Sequence, residues 1–445
     1  MIHLKNSLGL RLIIIGGLSL LLFPPSLFIQ ELISEREQRR DSVISEISEK
    51  WGNEQVVAGP ILSIPYHYYL ADSQTSDPIT RYVHFLPETL AVTGYIKPEV
   101  RYRSIYEAVL YNSKLTISGR FAEPEVATLG IPAEDLQLDE AFVSIGISDM
   151  TGIRRAIDIT WNGAQYSAEP GIPSKDVLNS GVSASTLINE GADNTFSFDL
   201  NLNGSKGLSF SPVGETTTVA IESDWANPSF KGSFLPTNRD MGADGFYSEW
   251  NILHLNRNFP QQWKGKNDEV LTSYFGVELL LPVDGYHKTM RTAKYAIMFI
   301  GLTFLTFFMI ELLSAKSIHP VQYLLIGFAL LIFYTLLLSL SEYISFGWAY
   351  LSAAVAIVGL ITGYSFLMIA DRAKTAIVSC ILIALYSYLY VLLQLQDFAL
   401  LLGSVGLFVV LSSVMFLTRN IDWFDIMDGR SPEVTHESSH PHEAT

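Results

Sequence analysis

Four side chains that can act as acids, bases or nucleophiles lie close together between two apolar stretches of the sequence. The segment IELLSAKSIHPVQYLL at 310–325 contains Glu311, Ser314, Lys316 and His319. A serine near a lysine is a possible nucleophile and base pair. The same segment also fits the polar turn of a membrane hairpin, in which Pro320 begins the second helix. The turn is the favoured interpretation, because nothing nearby supplies an oxyanion site.

The rest of the chain offers no stronger catalytic pattern. The sequence contains no G-x-S-x-G elbow, no Walker A loop and no HExxH. The histidines His436, His440 and His442 lie in a polar tail whose composition predicts disorder rather than a metal site. Cys380 is the only cysteine, so no intrachain disulfide is possible. We therefore predict that the protein is not an enzyme and has no catalytic residue, cofactor or metal ligand.

Charge is distributed very unevenly along the 445 residues. Most of the net charge of −16 belongs to residues 31–290, whereas residues 291–420 are mostly Leu, Ile, Phe, Val, Ala and Tyr. Such a division predicts a polar domain followed by a membrane domain. The chain also lacks the clusters of Lys and Arg that bind phosphates, which argues against nucleic acid as a partner.

Six apolar stretches are long enough to cross a bilayer, whose hydrocarbon core requires about 20 helical residues. They cover approximately 10–29, 294–313, 322–340, 348–370, 376–395 and 398–417. The first resembles a signal peptide but lacks a small-residue cleavage site, so we interpret it as an uncleaved anchor rather than a removed signal. Pro24 and Pro25 are expected to bend its far end.

The short loops between these stretches predict the orientation. Lys316, Arg372 and Lys374 fall in alternate loops, whereas the remaining short loops contain Glu342 and Asp397 but neither Lys nor Arg. Basic loops are retained on the cytoplasmic side. This places both termini in the cytoplasm and residues 31–290 on the outer side of the membrane.

Residues 31–290 begin with a helix that is predicted to end at Gly52, and then change to a period of two. In KLTISGRF and NTFSFDLNLNG, apolar and polar residues alternate. Short alternating strands between Gly, Asn and Pro clusters predict an antiparallel, sandwich-like β domain. NLNGSKGLSF is expected to form a hairpin around Asn203, Gly204 and Gly207. The predicted fold class is therefore an α+β membrane protein with one N-terminal and five C-terminal transmembrane helices.

Glu342 is a candidate for structural coupling at the membrane edge. It is the only charged residue between Gln322 and Asp371, and it falls where the third apolar stretch ends. A solvated loop end is the favoured interpretation. The alternative is an ion pair with Arg291 or Lys294, which are predicted to lie at the same membrane boundary.

Several stretches together resemble the CreD family of bacterial inner-membrane proteins. They are GPILSIPY (59–66), HFLPE (84–88), NPSFKGSFLP (227–236), RTAKYAIMFIGLTFLTFF (291–308), HPVQYLLIGFALLIFYTLLLSLSEY (319–343), QDFALLLGS (396–404) and FLTRNIDW (416–423). The resemblance runs from the first span to about residue 424. Tyr343 departs from it, because relatives often have His after Ser-Glu.

The resemblance implies an inner-membrane protein of cell envelope integrity, induced by a two-component system and linked to β-lactam response and colicin tolerance. It implies no established catalytic activity or cofactor. We expect a non-enzymatic scaffold or sensor that binds envelope proteins or cell-wall components through its periplasmic domain. A transporter or lipid-handling protein that uses the five-helix bundle is the alternative.

The predicted division is an anchor at 1–30, the periplasmic domain at 31–290, the bundle at 291–420 and a largely disordered cytoplasmic tail at 421–445. The lipid bilayer is the only partner that the sequence identifies, and the sequence does not predict the oligomeric state.

Overall fold

The computed structural model describes residues 8–69, 79–188, 192–281, 285–314, 318–395 and 398–419. The chain forms two compact units. One is a β unit, Arg40–Val283, and the other is a helical unit that combines Met1–Arg39 with Asp284–Thr445. The unit boundaries therefore fall near residues 39 and 284, compared with the domain boundaries predicted at 30 and 290. The tail at 421–445 lies outside the described residues.

Eight α-helices occur within the described residues. They are α1 Leu8–Leu21, α2 Phe23–Trp51, α3 Gly285–Lys294, α4 Ala296–Ser314, α5 Pro320–Ser341, α6 Phe346–Ile369, α7 Arg372–Gln394 and α8 Ala399–Thr418. Helix α2 ends beside the predicted end at Gly52. That glycine has φ +138°, and a Cβ there would lie 2.6 Å from the Asn203 carbonyl oxygen. A side chain is therefore excluded at this position on two grounds.

Five helices of the described residues are long and apolar enough to cross a membrane, and a bent pair makes a possible sixth. The five are Gly9–Trp51, Pro320–Ser341, Phe346–Ile369, Arg372–Gln394 and Leu400–Thr418, and the bent pair is Gly285–Lys294 with Ala296–Leu312. The two helices of the pair differ in direction by 47°. The six predicted spans match this set when the pair counts as one crossing. The first span is interrupted only at Leu22, next to the two prolines.

Helix α5 buries one face in the helical unit. The buried positions recur at alternating intervals of three and four residues, as in Tyr323, Ile326, Leu330, Phe333 and Leu337. This is the spacing that keeps side chains on one side of a helix. The Phe333 ring lies 4.8 Å from Tyr386 of α7 and 5.5 Å from Tyr350 of α6, measured between centroids. Aromatic contacts therefore join three helices.

The β unit contains seventeen strands among the described residues. They are β1 Gln55–Tyr68, β2 Ile79–Phe85, β3 Thr89–Arg103, β4 Tyr106–Phe121, β5 Phe142–Ile147, β6 Asp158–Trp161, β7 Ala164–Ser167, β8 Glu169–Pro170, β9 Gly181–Ser185, β10 Asn194–Ser205, β11 Gly207–Phe210, β12 Thr216–Ser223, β13 Pro228–Gly232, β14 Asn238–Gly242, β15 Gly245–Leu253, β16 Gln262–Lys264 and β17 Phe275–Leu279. The predicted alternation is confirmed in β4 and β10, where Leu115, Ile117, Phe196 and Phe198 are all buried.

The strands form two sheets. One has the order β13-β17-β11-β1-β5-β9-β8, with β2 paired to β1 and to β16, and the other has the order β14-β15-β12-β3-β4-β10-β6-β7. Most neighbouring strands are antiparallel, but β1 with β11 and β3 with β12 are parallel, so both sheets are mixed. Buried side chains from both sheets form one continuous core. This is the sandwich-like arrangement that the alternation predicts.

The hairpin predicted around Asn203, Gly204 and Gly207 is wrong. Strand β10 pairs with β4 and β6 in one sheet, whereas β11 pairs with β1 and β17 in the other. The chain changes sheet at Lys206, which has φ 63°. The glycines serve close packing instead, since a Cβ on Gly204 would lie 2.3 Å from the Tyr111 ring. A turn-like composition therefore marks a crossing between sheets.

Candidate functional site

A buried ion pair fastens the N-terminal helix to the helical unit. Arg11 of α1 places Nη1 2.6 Å from Oε1 of Glu311 on α4. The hydroxyl of Tyr323, in the first turn of α5, donates to Oε2 of the same carboxylate at 3.0 Å. The Glu311 side chain is only 5% exposed, whereas that of Arg11 is 31% exposed. Each carboxylate oxygen has a donor, so the group is suited to joining three helices rather than to taking a substrate.

The α4–α5 turn is built as a helix cap. His319 precedes α5, and its Nδ1 accepts a hydrogen bond from the Val321 backbone N–H at 3.3 Å. The Gln322 side chain accepts in return from the His319 N–H at 3.0 Å. Pro320 is the first residue of α5, as the sequence predicts. Lys316 and the side chain of Ser314 lie outside the described residues, so the structure does not test the nucleophile pair, which is the less favoured alternative.

Glu342 lies at the C-terminal end of α5 and contacts α3. Its Oε1 accepts a hydrogen bond from the Tyr286 hydroxyl at 3.0 Å. Arg291 and Lys294 occupy the last turn of α3, and Lys294 is exposed. The ion pairs between described residues include none from Glu342 to either cation. Glu342 therefore contacts the helix that carries both predicted partners. Its hydrogen bond on that helix is with Tyr286 and not with Arg291 or Lys294.

Helix α3 makes further polar contacts within the helical unit. The His287 Nε2 lies 3.6 Å from a carboxylate oxygen of Glu37 on α2. Lys288 Nζ lies 3.3 Å from the Gln394 side-chain oxygen at the end of α7. Helices α2 and α3 are the two segments through which the chain enters and leaves the β unit. The Glu37–His287 contact therefore ties both connections together.

In the β unit, three residues distant in sequence form a Ser–His–Asp arrangement. Ser63 Oγ lies 2.9 Å from His84 Nδ1, and His84 Nε2 lies 3.4 Å from Asp176 Oδ2. Burial lowers the pKa of His84 below its ordinary value of 6.5, and the hydrogen bond to Asp176 opposes this shift. Ser63 and His84 are each 2% exposed, so a substrate carbonyl has no path to the hydroxyl. We interpret the arrangement as a buried polar network that satisfies its own hydrogen bonds.

The β unit also has an open cleft of about 600 Å³. Its lining includes Tyr82, Asp139, Glu140, Tyr166 and Glu169. The three acidic residues are exposed. The cleft thus combines carboxylates with aromatic rings, which suits a partner that carries positive charge and some apolar surface. Among the described residues, no group of three His, Cys, Asp or Glu side chains is placed to hold a metal ion.

Sequence reasoning missed both buried networks. Arg11 gave no usable signal, because an arginine at the start of an apolar stretch reads as the charged end of a span. Ser63, His84 and Asp176 gave none, since each is an ordinary residue of its strand or loop. Only strand pairing brings Ser63 opposite His84.

These helices and mixed sheets define an α+β membrane protein that joins a transmembrane helical unit to a β-sandwich-like unit. The family model described as "Inner membrane protein CreD" matches residues 7–424. The chain is also 32% identical over 433 residues to the Inner membrane protein CreD of Escherichia coli (strain K12), and the similarity covers 95% of each chain. The chain belongs to the CreD family of inner membrane proteins, which the sequence resemblance indicated.

Proposed function

We propose that this protein is a non-enzymatic component of the inner membrane that supports envelope integrity and the response to β-lactams. It acts as a scaffold or sensor that contacts envelope partners through the β unit. The cleft lined by Tyr82, Glu140 and Glu169 is the observation that carries this proposal, because it is open and combines carboxylates with aromatic rings.

The first test is complementation of a deletion strain. The full chain is expected to restore survival under a β-lactam and exclusion of a membrane-impermeant dye. A variant in which Asp139, Glu140 and Glu169 are replaced by the corresponding amides should restore neither survival nor dye exclusion, although the protein is present at its normal level. Asp240→Asn with Asp244→Asn is the matched control, since these residues lie outside the cleft lining. Full rescue by the cleft variant would contradict a role for the cleft.

The second test separates a scaffold from the transporter or lipid-handling alternative. The purified protein in vesicles is expected to move neither a fluorescent phospholipid nor a trapped solute. Protein-dependent movement of either would overturn the scaffold or sensor proposal in favour of that alternative.

We also propose the orientation, with both termini cytoplasmic and residues 31–290 periplasmic. Arg372 and Lys374 at the α6–α7 turn support it, because basic loops are retained on the cytoplasmic side. Alkaline phosphatase fused after residue 150 should be active, and fusions after 318 or 373 should be inactive. Activity at 318 would reverse the assignment.

A further inference from the structure

An apolar groove runs between α6 and α7 and is open to the outside of the helical unit. Its volume is about 630 Å³, within the range of roughly 300–1,000 Å³ that is typical of ligand sites. The floor includes Ala354, which is 8% exposed, and Tyr386. At the rim, Val355 is 64% exposed and Ile383 is 55% exposed. A hydrocarbon chain can therefore enter sideways from the membrane.

The length of the groove corresponds to one leaflet. On α6 the lining extends from Gly347 to Val358. At about 1.5 Å per helical residue these eleven steps cover roughly 16 Å. Half of a hydrocarbon core of about 30 Å is about 15 Å. The groove thus has the reach of a single acyl chain that starts at the α3 side of the membrane, and it is too short for a ligand that spans both leaflets.

A cation lies at the α3 end of this groove. Lys288 Nζ is 3.3 Å from the Gln394 side-chain oxygen, and Gln394 in turn donates to the hydroxyl of Tyr390, which lines the groove. The same ammonium is 5.6 Å from the centroid of Phe346, the neighbour of Gly347. No described carboxylate lies within ion-pair distance of Lys288. The mouth of the groove therefore has a cation that no carboxylate of the described residues neutralises.

We propose that an anionic phospholipid binds here, with one acyl chain in the α6–α7 groove and its phosphate at Lys288. Hydrocarbon is the appropriate occupant, because a non-helical peptide segment would leave backbone groups unsatisfied in lipid, and a transmembrane helix would extend beyond a groove of one-leaflet length. Basic pockets between transmembrane helices recognise anionic head groups. The charge at Lys288 thus selects the head group, and the apolar lining holds the chain. This site is independent of the cleft in the β unit.

The test measures lipid retention by native mass spectrometry of the full chain in detergent, with phosphatidylglycerol and phosphatidylcholine as probes. The wild type should retain one phosphatidylglycerol in preference to phosphatidylcholine. Lys288→Gln should reduce this preference roughly fivefold, the factor expected for one lysine at an anionic membrane surface. Lys294→Gln is the charge control and should leave the preference unchanged. An equal fall in both variants, or no fall in Lys288→Gln, would refute the role of Lys288.

Groove filling tests the position of the chain. Ala354→Phe should abolish retention of both lipids, whereas Leu360→Phe, on an exposed part of α6 outside the lining, should have no effect. If Ala354→Phe does not yield folded protein, Val355→Trp at the exposed rim replaces it, with Leu360→Trp as its control. Unchanged retention after filling would place the lipid elsewhere. Stronger binding of a polyprenyl phosphate than of phosphatidylglycerol would overturn the proposed occupant.

Discussion

Removing either partner of the Arg11–Glu311 pair should destabilise the protein, but by different amounts. Arg11→Gln leaves the Glu311 carboxylate, 5% exposed, without its cation. Loss of one partner of a buried pair costs about 3–5 kcal/mol. Glu311→Gln leaves a guanidinium that is 31% exposed and, three residues after the start of α1, can extend toward the membrane surface. We therefore expect only about 1–3 kcal/mol, the cost of leaving a polar group unsatisfied. The double variant should resemble Glu311→Gln, because the neutral amide no longer needs a cation.

These differences are large enough for thermal unfolding in detergent. At roughly 2–4 °C per kcal/mol for a unit of this size, Arg11→Gln should lower Tm by roughly 6–20 °C. Lys266→Gln is the control, because the Lys266–Asp268 pair is exposed and its loss should leave Tm unchanged. The two single effects should be clearly non-additive in the double variant. Additivity within about 0.5 kcal/mol, or a smaller loss for Arg11→Gln than for Glu311→Gln, would refute the buried pair.

Three further outcomes are expected. Because burial lowers the pKa of His84 below 6.5, the unfolded chain takes up a proton at a higher pH than the folded chain, so the free energy of unfolding should fall as the pH drops below about 6.5. His84→Gln should flatten this pH dependence in melting curves, and an unchanged slope would contradict the prediction. Gly204→Ala should cost about 1–3 kcal/mol in denaturant titrations because its Cβ would meet the Tyr111 ring, whereas Gly242→Ala, with open space around it, is the control, and equal effects would disprove the close packing. Tyr286→Phe and Glu342→Gln should be non-additive in Tm, and additive effects would mean that their hydrogen bond contributes nothing.

Local patterns in the sequence determine the elements of this protein. The apolar stretches predict the spans, because bilayer thickness sets the length of an apolar helix regardless of what it packs against. Alternation in β4 and β10 predicts strands with one buried face, since the strand period is two. The cap at His319 and Pro320 is likewise a property of a few adjacent residues.

Pairing between distant residues was decided only by the tertiary structure. The segment at Gly204 has the composition of a turn, yet the chain passes from one sheet to the other there. Gly204 leaves the space that the Tyr111 ring occupies. The parallel pairing of β1 with β11 depends on which strands meet, which alternation does not specify. Arg11 and Glu311 are 300 positions apart, and each alone reads as the charged end of a span. The burial of Glu311 follows from helix packing, because a carboxylate that is only 5% exposed requires a partner from another helix.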